Sequence, residues 1–310
     1  MIVVFGSINV DLTFRLPHLP AVGETVLTPT FTQAVGGKGA NQAIAAARDG
    51  APTRFIGCVG SDTYGGMARA AMAEVGIDIG GVRSAPEGTA VAAVWIDGAG
   101  RNQIAVASGA NRALKVDTLL QQALPAGTTV VLQMETPASE VEAAIRYARG
   151  RNAKIILNLA PALPLPLATL KQVDVLVVNE HEAATLGAVL ELGQDEPADL
   201  IGALTRVLGN TVVITLGAKG AIGARDEVIW RVEALPVTAI DSTGAGDCFV
   251  GVLASALMRG ETMPAAMRRA AAAGSLACTI VGAGPSFPAR DKIDAALLEG
   301  ERMPGKSSVR

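Results

Sequence analysis

The chain has 310 residues, half of them hydrophobic and only 3% aromatic, and a net charge of −3. That length and apolar content suit one large α/β domain over residues 1–310, with a core built from Ala, Val, Leu and Ile. Mixed charge without a Lys/Arg-rich block argues against a nucleic-acid partner, and no apolar run approaches the ~20 residues of a membrane span. Cys58, Cys248 and Cys278 are widely spaced and odd in number, which fits a reducing compartment better than a disulfide framework. The N-terminus lacks the basic region of a signal peptide, so the default location is cytoplasmic.

The first strand pattern is IVVF at 2–5, ended by Gly6. GSINVDL (6–12) follows it, at the kind of strand end where open α/β sheets bind ligands. Asn9 and Asp11 alternate onto one face, and an amide beside a carboxylate suits two adjacent hydroxyls. Turn chemistry is the plainer account. Residues 11–33 read as short, part-polar strands broken by Pro17, Pro20 and Gly23. VGGKGANQA (35–43) is a Gly-rich loop feeding a helix over 39–49. Lys38 and Asn41 offer directional hydrogen bonds to a polyhydroxylated ligand that approaches the backbone closely; a flexible turn capped by Asn41 explains the string equally well. A strand at 54–60 and a helix at 64–76 come next. Residues 89–106 form two strand patterns about Gly98-Ala99-Gly100, a hairpin expected to join the 11–33 strands in a small separate sheet.

From 116 onward the rhythm is a helix at 116–123, a strand at 129–134, a helix at 139–149, strands at 154–159 and 174–179, a helix near 197–208 and a strand at 211–216. Continuous apolar strands alternating with amphipathic helices predict a mainly parallel sheet covered on both faces. In NEHEA (179–183), Asn179 and Glu182 fall three apart, on one face of a helix starting there. Their oxygens suit a hydrated Mg²⁺; an N-cap with acids at the positive helix end is the common alternative. The same stretch lacks the second His of a zinc-protease helix. Thr215, Gly217 and Gly220 follow a further strand end and fit either a nucleotide or a hairpin turn. Helices are expected near 245–258, 264–281 and 290–299, with a frayed tail at 300–310.

DSTGAGDCF (241–249) sets glycine directly before one of those helices. The first N–H groups of a helix have no partner within it, and small residues let an anion reach them. Such a site stabilises charge on a transferring phosphoryl group, and Asp247 in the first turn is placed to take a proton from an attacking hydroxyl. Alone, the string reads more simply as a Gly-rich turn with a favourable N-terminal charge. A formal phosphate-loop string, G-x-x-x-x-G-K-S at 300–307, follows a helix instead of the strand it needs, and is set aside.

Together, in this order, GSINVD, GGKGANQA, the N-x-x-E of Asn179 and Glu182, ITLGAKG, D-x-x-G-A-G-D and GAGPSFP resemble the phosphofructokinase-B (ribokinase-like) carbohydrate kinases over nearly the whole chain. The resemblance implies a three-layer α/β fold with a small β-sheet lid from residues 11–33 and 89–106, the lid also mediating a homodimer. It implies ATP-dependent phosphorylation of a sugar, D-ribose at the 5-hydroxyl, with Mg²⁺ and a K⁺-type monovalent activator. Asp247 would be the base and Gly244, Ala245 and Gly246 the anion hole. Asn9, Asp11, Gly37, Lys38, Asn41 and Glu135 match sugar-contact positions. Asn179 and Glu182 would organise Mg²⁺ and phosphates through water, and Thr215, Gly217 and Gly220 would lie along the nucleotide. Asp241, the carbonyls of Thr243, Ala277, Ile280 and Gly282, and the Ser286 hydroxyl match the monovalent-cation site. Two departures stand out: residues 270–273 are all Ala where relatives often carry Asn or His near the adenine, and Ile280 replaces a common Arg or Lys. A nucleoside kinase would want more aromatic residues for the base, and a sugar-phosphate kinase more Arg or Lys. A 2-keto-3-deoxygluconate kinase, a fructokinase or a catalytically silent sugar sensor remains an alternative.

Overall fold

The computed structural model describes residues 1–122, 124–194 and 196–302. Its strands are β1 (Ile2–Phe5), β2 (Asn9–Arg15), β3 (Phe31–Gly36), β4 (Thr53–Gly60), β5 (Asp78–Ala85), β6 (Ala90–Ile96), β7 (Asn102–Ala107), β8 (Thr129–Leu132), β9 (Lys154–Asn158), β10 (Val175–Asn179), β11 (Thr211–Thr215), β12 (Ala221–Arg225) and β13 (Val228–Val232). The helices are α1 (Lys38–Arg48), α2 (Thr63–Glu74), α3 (Val116–Leu120), α4 (Ala138–Gly150), α5 (Leu167–Leu170), α6 (Glu180–Val189), α7 (Pro197–Leu208), α8 (Ala245–Met258), α9 (Met263–Ala277) and α10 (Arg290–Arg302).

Nine strands form the main sheet in the order β13-β12-β11-β10-β9-β8-β1-β4-β5, parallel from β11 through β5 and antiparallel at β12 and β13. Alternation along each strand divides the interior into two cores. Ile2, Val4, Val131, Ile156 and Val177 pack against α1, α2, α8, α9 and α10. Val3, Phe5, Leu132, Leu157 and Val178 pack against the layer of α3 to α7. Both faces are covered, which is why the inner positions of these strands are apolar on both sides, with polar residues at their ends. The arrangement is the α/β three-layer class the periodicity predicts.

A second sheet, β3-β2-β6-β7, stands apart from the first. β2 pairs antiparallel with β3 and parallel with β6, and β7 closes the far edge as the partner of β6. Residues 17–30, expected to be strand-like in part, carry no strand. Val22 and Leu27 there are fully or largely exposed, so nothing packs against them to hold an extended segment. Helix α3 stops at Leu120, short of the expected 123, and α9 ends at Ala277, not 281. α10 runs to Arg302, so the phosphate-loop string opens inside a helix; residues 303–310 lie outside the described residues.

Candidate active site

The C-terminal ends of β9, β10 and β11 open onto one cleft, lined among others by Lys38, Asn158, Asn179, Glu182, Thr215, Gly244, Gly246 and Asp247. α1 and α8 both begin at it. Gly244 is the N-cap of α8 and takes a left-handed conformation, φ 74°. A Cβ there would lie 2.8 Å from the Ala283 Cβ, so only glycine starts the helix at this point. The Ala245 N–H is engaged with the Ser242 carbonyl, which leaves the N–H groups of the first turn beyond it, Gly246 and Asp247, to face the cleft.

Asp247 is buried on the first turn of α8. Its Oδ2 accepts from Asn41 Nδ2 at 2.9 Å and its Oδ1 from Gln42 Nε2 at 3.1 Å. Both amides belong to α1, packed beside α8. Lys38, the first residue of α1, is half-buried among carboxylates. Asp247 above all, then Glu135 and Glu182, lift its ammonium above the ordinary lysine range against the opposing pull of burial. Gly37, φ 85°, precedes it; a Cβ there would come within 2.8 Å of the Asn9 backbone nitrogen.

The small sheet presents Asn9 and Asp11 on one face, as their spacing predicts, paired with Gly36 and Ala34 of β3. Gly36 is required because a Cβ would strike the Asp11 carboxylate at 2.1 Å. Burial first, and the charges of Glu135 and Asp247 next, push the Asp11 carboxyl up to about 7. Asn9 Oδ1 accepts from Asn111 Nδ2, and Asn111 Oδ1 accepts from the Ile8 N–H. Glu135, just beyond β8, accepts through Oε2 from the Ser7 hydroxyl at 2.7 Å and the Lys38 N–H at 2.9 Å. Asp11, Lys38, Glu135 and Asp247 are thus close enough to shift one another's charge states, while Lys38 and Asp247 line the cleft and Asn9 and Glu135 line a neighbouring cavity.

On the other side of Asp247, Asn179 and Glu182 form a reciprocal capping box on α6. Asn179 Oδ1 accepts from the Glu182 N–H, and Glu182 Oε2 from the Asn179 N–H. The helix-capping and ligand readings are thus compatible, since Glu182 Oε1 and Asn179 Nδ2 remain. Burial drives the Glu182 carboxyl up, against the Asn179 hydrogen bond and Lys38. Among the described residues no cluster of three or more His, Cys, Asp or Glu side chains is arranged to hold a metal. Thr215, Gly217 and Gly220 form a tight hairpin turn between β11 and β12, and that turn lines a mostly apolar groove. Ala271, Gly274, Ser275 and Phe249 make its other wall.

Asp241 ties two loops together. Its Oδ1 accepts from the Thr243 hydroxyl and N–H, and its Oδ2 from the Gly282 N–H. These bonds, with Arg15, hold its carboxyl below the usual range although burial pushes the other way. The Ile240 and Asp241 N–H groups donate to the Cys278 carbonyl, so residues 240–243 and 277–282 are neighbours. The buried Ser286 hydroxyl donates to the Ala283 carbonyl.

Four further buried polar side chains, none of them singled out in the sequence, hydrogen-bond around Asp247 and Glu135: Ser7, Gln42, Gln133 and Asn158. Each is polar in an apolar stretch, and buried polar groups are tolerated where they are hydrogen-bonded. That mismatch was the available signal.

The chain matches the pfkB family carbohydrate kinase model over residues 1–290. It is 37% identical to a ribokinase of Haemophilus influenzae, over 93% of this chain and 95% of that protein. A deoxyribokinase of Salmonella typhi is 32% identical over 97% of this chain and 99% of its own length. A solved Arabidopsis thaliana ribokinase, complexed with ribose and ATP, superposes with a TM-score of 0.85 at 31% identity, covering 96% of this chain and 98% of that one. Fold and site together define an α/β sugar kinase. The chain belongs to the pfkB family of carbohydrate kinases.

Proposed function

We propose that this protein transfers the γ-phosphoryl group of ATP to the 5-hydroxyl of D-ribose. The observation that carries the reading is the position of Asp247. It stands at a glycine-started helix N-terminus, in a cleft shared with Lys38, Asn179, Glu182 and Thr215, with Asn41 hydrogen-bonded to it, Asp11 and Glu135 electrostatically close, and an apolar groove leading away from Thr215. Similarity to ribokinases along nearly the whole chain supports the choice of sugar.

Asp247 takes the proton of the sugar hydroxyl as its oxygen bonds to the γ-phosphorus and the bond to the ADP oxygen breaks. The N–H groups of Gly246 and Asp247, and the Lys38 ammonium, stabilise charge on the group in transfer. Mg²⁺, when bound with the nucleotide, neutralises phosphate charge. The free oxygen of Glu182, with Asn179, would hold it through water, as hard oxygen donors suit this ion. Adenine fits the apolar groove, where Ser275 is already committed to Leu235 and Ala271, so the base is gripped by shape more than by hydrogen bonds.

A monovalent cation, K⁺ in our reading, suits Asp241 with the carbonyls of Thr243, Ala277, Ile280 and Gly282 and the Ser286 hydroxyl: one carboxylate and several neutral oxygens brought together by the Asp241 bridge. The small sheet acts as the lid over the sugar. The face opposite Asn9 and Asp11 carries Leu12, Phe14, Phe31 and Trp95 beside Gln33 and Gln103, and the Phe14 and Phe31 rings stack at 5.4 Å. That face suits a second copy of the chain, giving a homodimer. Among the described residues no helix is long and apolar enough to cross a membrane, and the cysteines are free, which supports a cytoplasmic enzyme.

One observation favours a different sugar. A cavity beyond Asn9 and Glu135 is lined by Arg112 and Lys115, which would suit an acidic substrate such as 2-keto-3-deoxygluconate. Lys115 is already paired with Glu140, so a single arginine would carry that preference. A coupled phosphotransfer assay over ribose, deoxyribose, fructose, 2-keto-3-deoxygluconate and adenosine, each with K⁺ or Na⁺, tests the reading. Ribose should give the highest kcat/KM, and Asp247→Asn should lower turnover by ~10²-fold or more while sugar affinity changes little. Preference for another substrate overturns the choice of sugar; near-normal turnover of Asp247→Asn overturns the mechanism.

A further inference from the structure

Behind Asp247 lies a chain of buried amides that the phosphoryl-transfer reading does not use. Gln42 is fully buried on α1, one position after Asn41. Its Nε2 donates to Asp247 Oδ1 at 3.1 Å and to Asn158 Oδ1 at 3.0 Å. Its Oε1 accepts from Gln133 Nε2 at 2.7 Å. Asn158, at the end of β9, is held in turn by its own Nδ2, which donates to the Val177 carbonyl. Gln133, just past β8, is held between Gln42 and Gly6, where any Cβ would strike its Oε1 at 1.9 Å.

Every orientation in this chain follows from one condition. An ionised carboxylate only accepts, so Gln42 must turn its NH₂ toward Asp247. Its oxygen then faces Gln133, which must turn its own NH₂ inward. Gln133 Oε1 is left buried with no partner. An orphaned buried acceptor is rare and costly, and flipping the amide would relieve it only by turning acceptor against acceptor at Gln42. The structure keeps the orphan and thereby keeps a donor on Asp247.

We propose that Gln42, locked by Gln133 and Asn158, is a positioning residue that fixes the plane of the Asp247 carboxylate before the sugar arrives. This rests on Asp247 being the base. With Asn41 on Oδ2 and Gln42 on Oδ1, the carboxylate is held by two α1 donors; Asn41 is one of the proposed sugar contacts, whereas Gln42 is sealed in the interior. Gln42 therefore orients the base without spending its hydrogen bonds on substrate. Asp11, Lys38 and Glu182 are the charged groups that share the surroundings of Asp247; none belongs to the amide chain.

The test is Gln42→Met, which keeps an unbranched side chain of similar size and removes both donors, alongside Gln133→Leu, which removes the outer lock and the orphaned oxygen. Steady-state kinetics at saturating ribose, across pH, are compared with wild type and with Asp247→Asn. Gln42→Met should lower kcat by about 10- to 100-fold with the ribose KM within about threefold, a loss of the size expected when a catalytic group is misplaced. Its acid limb should move to higher pH, because a carboxylate that loses an N–H donor binds a proton more readily. Gln133→Leu should shift the same limb in the same direction by less, and it serves if Gln42→Met does not fold. A normal kcat and unmoved limb in both variants, or a loss confined to KM, overturns the proposal while Asp247→Asn remains inactive. If Asp247→Asn is itself active, the base assignment fails instead.

Discussion

Asp11 is the site residue whose charge state depends most on its neighbours. No donor among the described residues reaches its carboxyl, and burial with Glu135 and Asp247 nearby places its titration at about 7. Sugar hydroxyls would supply the missing donors, and hydrogen bonds to the ionised form favour it. Binding must then release a proton near neutrality, and sugar affinity should rise between pH 6 and pH 8. Calorimetric titration in buffers of different ionisation enthalpy measures that proton; equal affinity at the two pH values would count against the assignment. Linkage gives the stability counterpart. A carboxyl raised above its unfolded value of 3.8 contributes stability below that value, and the contribution is lost as pH rises through about 7. The ligand-free Asp11→Asn variant should therefore melt above wild type at pH 8, with the gap closing toward pH 4. A variant melting below wild type at pH 8 contradicts this.

The N-terminus of α8 separates two glycines that the sequence presents as equivalent. At Gly244 a Cβ would meet Ala283 and Phe287 from a left-handed backbone, so Gly244→Ala should disturb the loop itself, lowering both melting temperature and turnover. At Gly246 no atom stands within 4 Å of an added Cβ, and the residue lines the cleft. Gly246→Ala should hold or raise stability, by up to ~1 kcal/mol from helix propensity, while raising the KM for ATP at least about tenfold. Thermal melts with ATP titrations separate the two; an unaltered ATP KM in Gly246→Ala would remove this turn from the nucleotide path. The same contrast marks what the sequence made legible. Strands buried on both faces, such as TVVITL, announce themselves as apolar runs, and Gly-rich loops before helices mark anion sites. β5, reading DIGGVRSA, and β13, at the two edges of the sheet, do not, because edge strands mix charge and glycine with their apolar residues, and the short β12 next to β13 carries glycine and arginine as well. The partners of Asp247 stayed hidden for another reason: Gln42, Gln133 and Asn158 lie far apart in the chain, and only the packing of α1 against α8 over the strand ends brings them together.

At the scale of the whole molecule, the layer carrying α1, α8, α9 and α10 is tied by one buried anion. Asp49, at the C-terminal end of α1, has no exposed surface. Its carboxylate accepts from Arg269 of α9 through one oxygen and from Arg259, beyond α8, through the other, and Arg269 reaches on to Asp294 of α10. Four helices thus converge on a cluster at the opposite end of α1, about 16 Å from Lys38 and about 12 Å from Asn41 at 1.5 Å per residue. Removing the anion would leave Arg269, itself buried, with only the half-exposed Asp294, and breaking a buried pair typically costs about 3–5 kcal/mol. Asp49→Asn should accordingly lower the melting temperature by roughly 6–15 °C, at the few degrees per kcal/mol typical of larger domains. Turnover measured well below the new melting temperature should stay within about twofold of wild type, since the variant loosens the far end of α1 and not the end that holds Asp247. A melting temperature unchanged within 2–3 °C, roughly one kcal/mol, would mean that the Ala-rich packing of α8 on α9 holds this layer without the charges. A selective loss of turnover without a loss of stability would mean that the cluster communicates along α1 to the base.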